Sequence, residues 1–123
     1  VLIPLTVETL LAREQEFRRL TIHRDSDLNK LLTAIRDDAG AFVAAFSYEG
    51  PRGAIGWVAC ELYAGMQLLS VYVDPSWRGQ GIGTKLAKAI LRRVRGTARA
   101  DKRTFWRHFP EVLDSFDPLS QTA

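Results

Sequence analysis

Leu69-Ser70-Val71-Tyr72-Val73-Asp74-Pro75-Ser76-Trp77-Arg78-Gly79-Gln80-Gly81-Ile82-Gly83-Thr84-Lys85-Leu86 changes its periodicity halfway along. The apolar run at 66–73 predicts a strand, and Asp74-Pro75 ends it, because a residue before proline is pushed out of the helical region. From Ile82 the apolar positions fall at Ile82, Leu86, Ile90 and Val94, one face of a helix. Glycines occupy the junction. The first four amides of a helix have no internal partner and the macrodipole adds roughly half a positive charge there, so backbone alone can hold a phosphate or pyrophosphate.

Spacing separates three phosphate motifs. A dinucleotide fingerprint counted from Gly79 and Gly81 would need Gly or Ala where Thr84 stands, and a P-loop needs Gly-Lys-Ser/Thr where the order is Gly83-Thr84-Lys85. What remains is Arg-x-x-Gly-x-Gly after a strand ending Val73-Asp74-Pro75. Residues 69–86 thereby resemble the acetyl-CoA signature of the GNAT superfamily of acyl-CoA N-acyltransferases. A purely structural glycine turn is the plain alternative.

Outward from this segment the chain reads as an α/β order of the α+β type. Val1–Leu5 is a short apolar segment, and Thr6 is an N-cap with Glu8 and Thr9 in the first turn of a helix running to about Leu20. Asp25-Ser26-Asp27 caps a second helix over 28–38, which Gly40 stops. Strands at 41–48 and 54–63 flank a turn at 49–53, and Ala64-Gly65 separates the second of them from 66–73, so an antiparallel meander is expected. This order is similar to the first two-thirds of the GNAT fold: a mostly antiparallel sheet flanked by helices, in one domain over residues 1–123. The final 28 residues are shorter than the family's C-terminal part. Thr97–Ala100 is the only place for a parallel fifth strand, and Phe105–Phe109 reads as a short version of the next helix, with Pro110 and Glu111 where glycine is expected.

The resemblance implies acetyl-CoA as co-substrate, with pantetheine lying between splayed fourth and fifth strands as an extra strand. It assigns the backbones of Val71 and Val73 to the pantetheine arm and Arg78, Gly79, Gln80, Gly81, Ile82, Gly83 and Thr84 to the pyrophosphate. If the fifth strand is absent, the tail or a second copy in a homodimer must cover this edge.

Acetyl transfer needs a neutral amine. An ammonium of pKa near 10.4 costs about 4–5 kcal/mol to deprotonate at pH 7, whereas a thiol near 8.5 needs about 2 kcal/mol to leave as thiolate, so a base matters more than an acid. The family's early-strand glutamate falls on Gln67, which cannot take a proton. Glu61 is the replacement candidate, because alternation places it on one face with Trp57 and Tyr63 in a partly apolar setting. Tyr72 or Tyr63 is the candidate acid; packing and plain exposure are the competing readings of all three.

Composition bounds the rest. With 123 residues, 46% hydrophobic and 25% charged, the chain matches one globular core. One cysteine, Cys60, excludes an intrachain disulfide, and with only His23 and His108 beside it no zinc cluster is expected, so no metal is called for. No apolar run reaches the roughly 18 residues of a membrane span and no leader pattern opens the sequence, which points to the cytoplasm and no membrane partner. Val1 in place of Met suggests a processed or trimmed start.

Charge is uneven. Nine of the 17 basic residues lie between Lys85 and Arg107, namely Lys85, Lys88, Arg92, Arg93, Arg95, Arg99, Lys102, Arg103 and Arg107, against Asp101 alone. Beside Phe105, Trp106, His108 and Phe109 such a stripe fits nucleic-acid binding, while helix-dipole complementation and the ribose phosphate of CoA are more modest reasons for it. Three functions follow, in descending order: an N-acetyltransferase acting on a small-molecule or protein amine, a GNAT-like CoA-binding or protein-binding regulator without full activity, and a nucleic-acid-binding module.

Overall fold

Alternation of apolar and polar residues from Phe42 to Val73 produces three long strands. A computed structural model describes residues 1–20, 25–94, 96, 98–100, 105–109 and 112, with the backbone alone for Asp25, Ser26, Asp27 and Arg107. The elements are β1 (Leu2–Leu5), α1 (Val7–Ala12), α2 (Glu14–Leu20), α3 (Asp25–Asp37), β2 (Phe42–Gly50), β3 (Gly53–Tyr63), β4 (Met66–Val73) and α4 (Ile82–Leu91). The strands pair antiparallel in sequence order, β1-β2-β3-β4, an α+β architecture.

Pleating divides the sheet into two faces, each buried by helices. Trp57, Ala59 and Tyr72 turn toward α1, α2 and α3, where they meet Leu10, Phe17, Leu28 and Leu32. Val58, Cys60 and Leu69 turn the other way, against Ile82, Leu86 and Ile90 of α4. That helix lies close to the sheet at Gly56, where a Cβ would stand 3.2 Å from a Leu86 methyl and 3.0 Å from the Tyr72 carbonyl. Close approach here sets the start of α4 beside the end of β4.

Thr6 caps α1 as expected, in a reciprocal box in which the Thr9 amide donates to the Thr6 hydroxyl and the Thr6 amide to the Thr9 hydroxyl. The single helix expected to Leu20 is instead broken at Arg13, whose φ of −104° and ψ of 20° leave the helical region. Arg13 donates to both Glu16 and Glu49, tying the break to the β2–β3 hairpin. That hairpin is tighter than expected, with Gly50 opposite Gly53 and only Pro51-Arg52 between them. The second helix ends at Asp37, and Asp38 caps a 3-10 turn over Ala39–Ala41. Asp25, Ser26 and Asp27, expected as caps before a helix starting at 28, are instead the first residues of α3.

Past α4, the segment expected as a fifth strand makes isolated parallel bridges, Arg99 with Leu68 and Ala98 with Val112; Thr97 lies outside the described residues. Phe105–His108 form a 3-10 turn, not an α-helix. Phe105, Trp106 and Phe109 pack at centroid separations of 5.0 to 5.9 Å, and Trp106, 3% exposed, joins the core under α4. These rings are core rather than a stacking platform. Pro110 and Glu111 lie outside the described residues.

Candidate functional site

The outer edge of β4 carries the first half of the site. The Arg99 amide donates to the Gln67 carbonyl at 2.8 Å and the Leu69 amide donates to the Arg99 carbonyl at 2.9 Å. Odd-numbered residues of β4 therefore point their backbone groups away from β3, and by the two-residue period Val71 and Val73 do the same. The Asp74 amide, donating to the Ile55 carbonyl at 2.8 Å, confirms that even positions face β3. Beyond Leu69 no described backbone group pairs with this edge. The neighbouring segment thus touches β4 at its start and leaves the next four residues, about 13 Å of strand, open.

The second half is the turn into α4. Asp74 accepts from the Ser76 amide and hydroxyl at 2.9 and 2.6 Å, caps the 3-10 turn Pro75–Trp77 and sends the chain back across the strand end. These hydrogen bonds from Ser76 hold the Asp74 carboxyl below its ordinary range. Gly79 and Gly81 then take φ of 83° and 80°, where side chains are strained, and a Cβ at either would meet nothing within 4 Å. The space before the helix is open. Gly81 is the N-cap of α4, and among the described residues no side chain caps it, so the first-turn amides face that space. Gly83 is held from behind, a Cβ there lying 3.2 Å from the Phe105 ring.

Arg78 bridges the two halves. Its Nε donates to the Val73 carbonyl at 2.9 Å and its guanidinium carbon lies 5.4 Å from the centre of the Tyr72 ring. Of the Val73 backbone pair, the carbonyl thus has one of its two lone pairs taken, and the amide faces the open edge.

The candidate proton-transfer residues are spread along the face of the sheet that α1, α2 and α3 cover. Glu61 is half-buried opposite Leu68, at the level where the cleft closes, and Tyr63 stands two residues further on, 43% exposed at the hairpin tip. Tyr72 is opposite Trp57, four residues along β4 from Leu68 and therefore about 13 Å from the level of Glu61. The structure brings Glu61 and Tyr63 together and leaves Tyr72 beside Arg78. Gln67 lies on the α4 side, where a Cβ on Gly96 would sit 3.9 Å from its Nε2. Ser70 lies opposite Ala59 on the α1–α3 face, diagonal to Glu61, and is a candidate hydroxyl that the sequence analysis does not name. Period-two alternation could have found it. Cys60 is buried, and burial, assisted by the nearby Glu61 charge, pushes its thiol up to about 12, so it is no nucleophile.

Lys85 and Lys88 of α4 and its C-cap Arg92 share an exposed ridge, while Arg93 beyond it reaches over the Phe46 ring at 5.7 Å and Lys85 over Tyr48 at 5.6 Å. Arg95, Lys102 and Arg103 lie outside the described residues. No described helix is long and apolar enough to cross a membrane.

An uncapped helix N-terminus beside an open strand edge suits a ligand with an anionic group at one end and an amide-bearing arm, which is the make-up of CoA. The model of the acetyltransferase (GNAT) family matches residues 6–113. Among solved structures, an aminoglycoside N-acetyltransferase AAC(6')-Iy in complex with CoA superposes with a TM-score of 0.51 at 17% identity, covering 99% of this chain and 82% of the other. An aminoglycoside acetyltransferase from an uncultured soil metagenomic sample, in complex with sisomicin, gives a TM-score of 0.45 at 18% identity, over 99% of this chain and 80% of the other. The comparison with curated protein sequences gives no match.

Proposed function

We propose, from the premise that the chain belongs to the acetyltransferase (GNAT) family, that it transfers an acetyl group from acetyl-CoA to an amine. The observation that carries this reading is the open outer edge of β4 running directly to the uncapped start of α4. In this assignment the amides of the loop and first turn, Gly79 to Thr84, receive the pyrophosphate, with Arg78 adding a charge-assisted donor. Val71 offers an N–H and a C=O, and Val73 an N–H, to the pantetheine amides. The thioester then lies toward Leu69. The cofactor supplies the activated acetyl group, and the Val71 amide is the donor nearest its carbonyl.

Glu61 takes the proton from the acceptor ammonium, standing on the α1–α3 face at the level of Leu68 where the amine would enter. Tyr63 or Ser70, on the same face, is the nearest hydroxyl for returning a proton to the thiolate. We place the chain in the cytoplasm as one domain, with a second copy in a homodimer completing the cleft on the far side of the pantetheine arm. The amine panel for its assay includes aminoglycosides, the acceptors named for the solved structure with the higher TM-score. The test is release of CoA thiol from acetyl-CoA across that panel. Turnover with one amine class supports the enzyme. Tight CoA binding without turnover on any amine supports the regulator, the reading favoured by Gln67 at the position where the family's glutamate was expected.

A further inference from the structure

We infer that Tyr72 is a positioning residue for CoA: its buried ring, with the Val73 carbonyl, holds the Arg78 guanidinium at the mouth of the cleft. The role rests on the reading of this edge as a CoA site. Tyr72 was a candidate acid on chemistry alone, but its place along the strand points elsewhere. The side chain is 5% exposed, packed among Trp57, Ala59 and the α1–α3 core, and cannot swing to follow a reacting group. What it presents at the sheet edge is a π-face, with the Arg78 guanidinium carbon 5.4 Å from its centre. The Nε–H of Arg78 is committed to the Val73 carbonyl at 2.9 Å. That contact uses one of five guanidinium donors and leaves the four on the terminal nitrogens for an anion.

A surface arginine otherwise loses considerable rotamer freedom when it binds a phosphate. Here two contacts made within the protein fix the fork before any ligand arrives, and such preorganisation appears as affinity. Tyr72 therefore acts through Arg78. Its hydroxyl has no part in the effect, so phenylalanine should serve as well and an aliphatic residue should not.

The test is isothermal calorimetry of CoA with the full chain, using Y72L, Y72F, R78K, R78A and the Y72L/R78A double variant. Y72L is expected to weaken CoA binding about 3- to 10-fold and Y72F to restore it, and Y72L should add little in the R78A background. R78K, a surface change that leaves the core intact, keeps the charge, loses the planar fork and should weaken CoA by a similar factor. In the wild type without ligand, the Arg78 Nε–H proton should be shifted upfield by the ring and lose that shift in Y72L. Unchanged affinity in Y72L, or a loss that adds in full to that of R78A, overturns the role of Tyr72 while leaving the CoA site standing. Failure of the wild type to bind CoA overturns both, and the Arg78 proton then reports whether the Tyr72 clamp exists apart from any ligand.

Discussion

Replacing Gly81 by valine should separate strain from ligand binding, provided it is paired with the same change at Gly65. Both glycines sit in the left-handed region, at φ of 80° and 79°, and a Cβ at either meets nothing within 4 Å. A β-branched residue there costs about 1–2 kcal/mol in backbone strain. With an unfolding entropy of about 2.1 cal/mol/K per residue, a chain of 123 residues loses roughly 4 °C in Tm per kcal/mol. Each variant should therefore melt about 4–8 °C below the wild type. Acetyl-CoA at about 100 times its Kd adds roughly 2.7 kcal/mol to the wild type, or about 10 °C. Valine at position 81 stands before the first-turn amides of α4 and should abolish that gain, whereas position 65, at the β3–β4 tip, should keep it. The assay is differential scanning calorimetry with and without acetyl-CoA. A full ligand shift in G81V, or its loss in G65V, refutes the placement of the pyrophosphate.

Glu61→Gln should lower kcat by about 10²- to 10⁴-fold with CoA affinity unchanged by calorimetry, and a drop under tenfold would remove Glu61 as base. The Arg13 guanidinium, donating to Glu16, holds the Glu16 carboxyl below its ordinary value of 4.5. The folded pKa is the lower one, so this contribution is complete above the unfolded value and is lost as pH falls through the folded one. The urea midpoint of the wild type should thus drop more steeply below about pH 4.5 than that of E16Q, and equal slopes would contradict the assignment. Cys60, with its thiol pushed up to about 12, should resist iodoacetamide at pH 8.5 in the native state and react in urea. Because its folded pKa is the higher one, it costs nothing below an unfolded value near 9.0 and should lower stability as pH rises from there toward 12; labelling of native and unfolded chains at equal rates would contradict its burial.

Most of the architecture was legible because period and punctuation agreed. The strands at 41–48, 54–63 and 66–73 were read within two residues, since alternation and the glycine, proline and Ala64-Gly65 breaks marked the same limits. The junction at 79–83 was legible for a different reason: three glycines between a strand and an amphipathic helix leave few physical explanations. Arg13 was not, because the helix break there depends on Glu49, a partner 36 residues away that local pattern does not reveal. The fifth strand was only half legible. Its place at Arg99 was indicated, but a two-hydrogen-bond bridge has no β-branched run to announce it. In the candidate site, Val71 and Val73 followed from a resemblance, and the bond from Arg78 that occupies the Val73 carbonyl did not, since it is a choice of rotamer. Glu61 shares a face with Trp57 and Tyr63 by alternation, but that Tyr72 joins this face, and how far along it, required the β3–β4 register.

The most direct test of the central claim is a nitrogen–proton NMR titration of the full chain with CoA, read residue by residue. The amides of Val71, Val73 and Gly79 to Thr84 should shift together and saturate at one ligand equivalent. Shifts confined to the Lys85, Lys88 and Arg92 ridge, weakening steeply with salt and leaving the β4 edge untouched, would show a polyanion surface in place of a cofactor cleft.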